Sequence, residues 1–182
     1  MSVEIRLDEK QMAWCSKHAK KTYEYRESIR EQFGVGEYAH NTVNGALIGI
    51  KCEMAFLSHF DLLFEIDNFF NSCPTVDTGD FKINNRCIEV KGLKEDDWNK
   101  YKRQVPPIQL NKYIAKDVII VWATAENHRI PRNKVVLRGW NYASEVKEKG
   151  KDIKTICDNV WLEYDEDMHD MDTLIRALKD GG

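Results

Sequence analysis

A chain of 182 residues with 42% hydrophobic and 31% charged side chains has the material for one domain with a sizeable core, which excludes a disordered chain. A formal net charge of −3 does not announce a nucleic-acid binder, although net charge says little about a local patch. No stretch approaches the length of a transmembrane helix, and an N-terminus carrying Glu4, Asp8 and Glu9 without an apolar segment is not a signal peptide, so the expected location is the cytoplasm.

In chain order, Asp8 followed by Gln11 resembles a capping box and predicts a helix to about Glu31, making residues 1–41 an N-terminal helical extension. "FGVGEYAHN" breaks it; Gly34 and Gly36 neither follow a strand nor complete a GxGxxG, so this is a loop and not a phosphate cradle. A second helix is expected from near Thr42 to about Phe60. Within it Glu53 has Gly49, Ile50, Phe56 and Leu57 as its helical neighbours, all apolar or small. An acid on the inward stripe needs a partner or a ligand, because a charge removed from water must be compensated; on the flank of the stripe it would snorkel or bond to a Lys or Arg. Gly45 and Gly49 on the same side would let the helix approach a sheet closely.

"GDFKINNRCIEVKG", residues 79 to 92, reads as a hairpin. Phe81 and Ile83 before the Asn84-Asn85 pair, and Ile88 and Val90 after it, alternate as half-buried strands do. If the two asparagines form the whole turn, Ile83 pairs with Arg86, Phe81 with Ile88 and Asp80 with Glu89. Like charges placed directly opposite are destabilising, their Cβ atoms being about 4.5 to 5.5 Å apart. Glu89 and Lys91 project from one face while Ile88 and Val90 point the other way. Asp80, Glu89 and Lys91 therefore converge. A divalent cation such as Mg²⁺ between the acids would turn repulsion into attraction, and the lysine could then orient a water or stabilise charge on a phosphate. A solvated outer face with a salt bridge is the plainer alternative for the same pattern.

Past the hairpin, Trp98, Lys100, Tyr101, Lys102, Arg103 and Gln104 make an aromatic-basic run that could stack on a base or contact phosphates, or could be an exposed loop. "VPPIQLNKYIAK" predicts a helix with Pro106 and Pro107 at its start. "DVIIVWATAE" is a continuous apolar run, the mark of a strand covered on both faces. "KVVLRGWNYASEV" reads as a strand ending at Gly139 and leading into a helical turn, and "NVWLEYDEDMHDMDTLIRAL" as a last strand and a closing helix. The order predicts an α/β fold with a mixed sheet flanked by helices, a single domain over residues 1–182.

Two other chemistries are unsupported. Cys15, Cys52, Cys73, Cys87 and Cys157 are odd in number without a CxxC, so reduced and mostly buried thiols are expected. Asp165, Asp167, His169 and Asp170 could bind a metal, but their spacing fits no calcium loop and a solvated acidic turn is the expectation.

The ordered set of Glu53 on a helix, Asp80 one strand before "IEVKG", the Glu89-x-Lys91 pair and Gln109 on the next helix resembles the PD-(D/E)XK nuclease superfamily, the restriction-endonuclease-like fold. The likeness covers roughly residues 42–140 as catalytic core, leaving 141–182 as a C-terminal strand and helix. It implies an αβββαβ core and a Mg²⁺-dependent deoxyribonuclease, an endonuclease before an exonuclease, with Mn²⁺ able to substitute. By the same resemblance Asp80 and Glu89 would bind metal together with the Val90 carbonyl, and Glu53 would do so directly or through water. Lys91 would position the attacking water, and Gln109 would orient Lys91 or the phosphate, with Gln104 as a rival. The proline usual before the first acid is absent, "TGD" standing there. DNA is the implied partner, and a homodimer would suit double-strand cleavage. The alternative from another class is a nuclease-like module that binds nucleic acid or protein without cutting.

Overall fold

The computed structural model describes residues 1–33, 42–62, 80–101, 103–126, 132–154, 158–163 and 165–179. Among them are β1 (Val3–Arg6), α1 (Glu9–Phe33), α2 (Val43–His59), β2 (Phe81–Ile83), β3 (Arg86–Lys94), α3 (Trp98–Tyr101), β4 (Arg103–Val105), α4 (Pro107–Ala115), β5 (Ile119–Ala125), β6 (Lys134–Tyr142), α5 (Ala143–Lys149), β7 (Lys151–Lys154), β8 (Asp158–Leu162) and α6 (Met171–Lys179). The fold is mixed α/β. Its main sheet has the order β1-β6-β5-β3-β2, and β4-β8-β7 form a second sheet. β3 and β5 run parallel with α4 in the connection between them, while the other pairings are antiparallel.

β5 explains how the layers are organised. All seven of its residues are buried, and they alternate between two cores. Ile119, Val121, Ala123 and Ala125 join Ile88 and Val90 against α1, α2 and α6; Ile120 and Trp122 join Leu110, Tyr113, Val146 and Leu162 on the other face. α2 begins at Thr42, whose hydroxyl accepts from the Gly45 N–H at 3.0 Å. It lies close on β3: a Cβ on Gly92 would stand 2.9 Å from Cys52 Sγ and 3.3 Å from Gly49 Cα. The buried Cys15 and Cys52 are free thiols, and burial pushes Cys15 up to about 12 and raises Cys52 further. Cys73 and Cys157 lie outside the described residues.

Two expectations differ from the structure. The N-terminal part is no mere extension: β1 pairs with β6 and Cys15 and Ala19 of α1 are fully buried. β6 does not stop at Gly139 but runs to Tyr142. The glycine marks a close approach and not a strand end, since a Cβ there would meet the His169 carbonyl oxygen at 2.8 Å and Met168 Cβ at 3.0 Å. The short strands β1, β4 and β7 carry too few residues to show a periodicity of their own. Among the described residues no helix is long and apolar enough to cross a membrane.

Candidate active site

The hairpin has the register expected of a two-residue turn. Phe81 faces Ile88, Lys82 faces Cys87 and Ile83 faces Arg86, with Asn84 and Asn85 both at positive φ, 47° and 65°. One step further, the Asp80 N–H donates to the Ile88 carbonyl at 2.6 Å. The paired ladder therefore ends at Phe81, and Asp80 lies just outside it instead of in the expected pairing with Glu89, although the Glu89 charge still acts on its carboxyl. Asp80 turns its carboxylate onto β3 and accepts the Val90 N–H at 2.7 Å. The carbonyl of Val90 shares that edge of β3, because the N–H and C=O of one strand residue point to the same side.

Lys91 Nζ lies 2.6 Å from Glu89 Oε1. It donates to Gln109 Oε1 at 3.2 Å and to the Tyr113 hydroxyl at 3.4 Å. An ammonium has three donors and no acceptor, so these three partners engage it completely. They also fix the Gln109 amide: its oxygen must meet Lys91, which leaves its nitrogen to donate to Tyr113. Gln109 and Tyr113 are four residues apart on α4 and so share a helix face. Tyr113 is 1% exposed, with its ring centroid 5.4 Å from Lys91 Nζ. Tyr113 was not among the residues expected at the site; its spacing from Gln109 was the available signal, masked by the fit of an aromatic side chain to the core stripe.

Burial, then the charges of Glu89 and Glu53, push the Asp80 carboxyl well above its usual range, while the Val90 N–H and Lys91 pull the other way. Glu53 thus faces the hairpin acids from α2, half-buried, with Oε1 at 3.9 Å from where a Cβ on Gly49 would stand. Glu89, by contrast, has its ammonium partner and is 9% exposed. Among the described residues no three His, Cys, Asp or Glu side chains are gathered tightly enough to form a metal cage. Mg²⁺ does not need one, since it is bound by one or two carboxylates with waters and substrate oxygens. The oxygen donors Asp80, Glu89 and the Val90 carbonyl suit a hard cation of that kind.

The structure separates the remaining sequence candidates. Gln109, and not Gln104, stands at Lys91; Gln104 on β4 accepts from Trp161 Nε1 at 3.2 Å. Trp98 and Arg103 are 3% and 1% exposed, which differs from an open aromatic-basic cluster. Arg103 is turned inward because Leu162 and Asp165 supply acceptors for its guanidinium and the Trp98 ring lies 4.9 Å away. Lys100 is exposed, and Lys102 lies outside the described residues. The acidic turn does not converge on one point: Asp165 pairs with Arg103, His169 with Glu145, and Asp170 with the N-terminal amine.

Comparison of the chain with protein-family models, with curated proteins and with solved structures gave no match.

Proposed function

We propose that the chain is a Mg²⁺-dependent nuclease of the restriction-endonuclease-like fold, hydrolysing DNA phosphodiester bonds and cutting internally. The observation that carries this is the gathering of Asp80, which is bonded to the Val90 N–H and feels the Glu89 charge, with Lys91, which is held at Glu89 by Gln109 and Tyr113. Three carboxylates against one ammonium would repel a phosphodiester, so catalysis at this site requires a divalent cation. When bound, the cation neutralises charge on the scissile phosphate and lowers the pKa of a bound water. Mn²⁺ has the same preference for oxygen donors and would substitute.

The chain's own residues do the rest. Asp80, Glu89 and the Val90 carbonyl would hold the cation, with Glu53 acting across the site from α2. Lys91, hydrogen-bonded to acceptors on every side, serves as a donor and not as a base. Its bond to the Tyr113 hydroxyl is the longest of the three, at 3.4 Å, and that donor turns to orient the attacking water and to stabilise charge developing on the phosphate oxygens. Gln109 and Tyr113 restrict the lysine to one geometry. Double-strand cleavage would call for two copies of the chain, one site for each strand.

The test is incubation of purified protein with supercoiled plasmid, linear duplex and single-stranded DNA, in Mg²⁺ or in EDTA. Nicked or linear products from closed plasmid in Mg²⁺ alone support an endonuclease. Degradation confined to linear DNA would make it an exonuclease. Cleavage of no substrate, with DNA still bound, would favour the non-cutting module.

A further inference from the structure

Arg138 is the extra residue of a β-bulge: Trp122 of β5 faces Gly139 of β6, yet the next residue, Ala123, faces Leu137. Bulges re-aim side chains, and this guanidinium is held by named groups. It donates from Nε to Thr124 Oγ1 at 3.1 Å and from Nη2 to Glu95. Thr124 donates to the other oxygen of Glu95. Burial works against the Glu95 charge, but the donors Arg138 and Thr124 hold its carboxyl below its usual range. Glu95 therefore stays anionic and fixes the fork in one orientation.

The cluster has donors to spare. An arginine has five N–H groups; among the described residues the bonds to Thr124 and Glu95 leave the Nη1 edge uncommitted, and the side chain is 22% exposed. The Arg138 guanidinium carbon lies 5.3 Å from the centroid of the buried Trp98 ring, which backs it. A planar cationic fork with an open edge matches an oxyanion with several acceptor oxygens, and phosphate fits best.

Its position connects it to the hairpin. Lys91 faces Trp122 and Leu93 faces Thr124 across β3 and β5, so the Thr124 row lies two residues, about 7 Å, along the strands from Lys91. Thr124 follows Ile120 and Trp122 onto the α4 side of the sheet, the side on which Lys91 meets Gln109 and Tyr113.

We propose that Arg138, oriented by Glu95 and Thr124 and backed by Trp98, binds a phosphate of the nucleic-acid strand beside the scissile one. The assignment rests on the nuclease function proposed above. It is tested by fluorescence anisotropy of a labelled DNA oligonucleotide with the full chain in EDTA over a salt series, using wild type, Arg138→Gln and Arg138→Lys, with thermal melts confirming folding. Arg138→Gln is expected to weaken binding about tenfold and to reduce the slope of log affinity against log salt by about one. Arg138→Lys, which keeps the charge but not the fork, is expected to weaken binding about threefold with the slope unchanged, and it decides the matter if Arg138→Gln does not fold. Wild-type affinity and slope in the folded variants, with Mg²⁺-dependent cutting intact, would overturn the phosphate subsite alone. A wild-type chain that neither binds nor cuts DNA would overturn both proposals.

Discussion

Asp80→Asn should stabilise the metal-free protein at pH 7 while abolishing cleavage. The charges of Glu89 and Glu53 act against that of Asp80, and two unit charges about 5 Å apart repel by roughly 3 kcal/mol at an effective dielectric of about 20. Glu53 adds to the repulsion, and Lys91 offsets part of it. Asparagine keeps the acceptor that meets the Val90 N–H at 2.7 Å, so the substitution removes charge without orphaning that donor. A net gain of about 1–2 kcal/mol follows, or about 2 to 8 °C in melting temperature for a chain of this size. The sign with pH is fixed by linkage. A carboxyl whose folded pKa is raised above its ordinary 3.8 binds its proton more tightly when folded. Wild-type stability from this group is therefore greatest below that value and is lost as pH climbs through the folded pKa. The two proteins should converge below about pH 4 in urea melts and separate as the pH rises. Mg²⁺ should reverse the order at pH 7, adding about 2.7 kcal/mol to wild type at a hundred times its Kd and much less to Asp80→Asn. Destabilisation by Asp80→Asn at pH 7 in EDTA, or an advantage that persists at pH 3, would refute crowding of the acids.

Lys91→Met should slow cleavage by about 10²- to 10³-fold, the usual consequence of losing one donor to developing charge, with DNA affinity in EDTA nearly unchanged; single-turnover rates and anisotropy check this together. Tyr113→Phe removes one hydroxyl that Lys91 and Gln109 both use and should lower the single-turnover rate by about fivefold without changing the unfolding free energy by more than about 1 kcal/mol in urea melts. Gly92→Ala drives a Cβ against Cys52 Sγ at 2.9 Å and Gly49 Cα at 3.3 Å, which should destabilise by about 1–3 kcal/mol. Adding Cys52→Ala should recover part of that loss, because the two sites share one contact.

The hairpin was legible because each feature that determines it is local. Period-two alternation, a turn of two residues that tolerate positive φ and the pairing of Phe81 with Ile88 follow from fourteen consecutive residues, whereas the step out of register at Asp80 does not. β5 was equally plain, since a run buried on both faces has little polar alternation. Glu53 stood out as a polar residue on an otherwise apolar helix stripe, and Gln109 only through the resemblance to the nuclease superfamily. Tyr113 did not, because its ring satisfies the core while only its hydroxyl serves the site. Trp98 and Arg103 were misplaced for the opposite reason. Whether a basic-aromatic run lies outside or inside depends on distant acceptors, here Leu162 and Asp165, which no local pattern specifies. The bulge at Arg138 depends on the pairing of β5 with β6 and leaves no mark in either strand alone.

The central claim, that the Asp80, Glu89 and Lys91 cluster cuts DNA with a divalent cation, is tested most directly by plasmid cleavage in Mg²⁺ by wild type, Asp80→Ala and Lys91→Ala, each shown to be folded and to bind DNA. Cutting by wild type alone, abolished by EDTA and restored by Mn²⁺, is the predicted result. Undiminished cutting by either folded variant would contradict it and place the activity elsewhere.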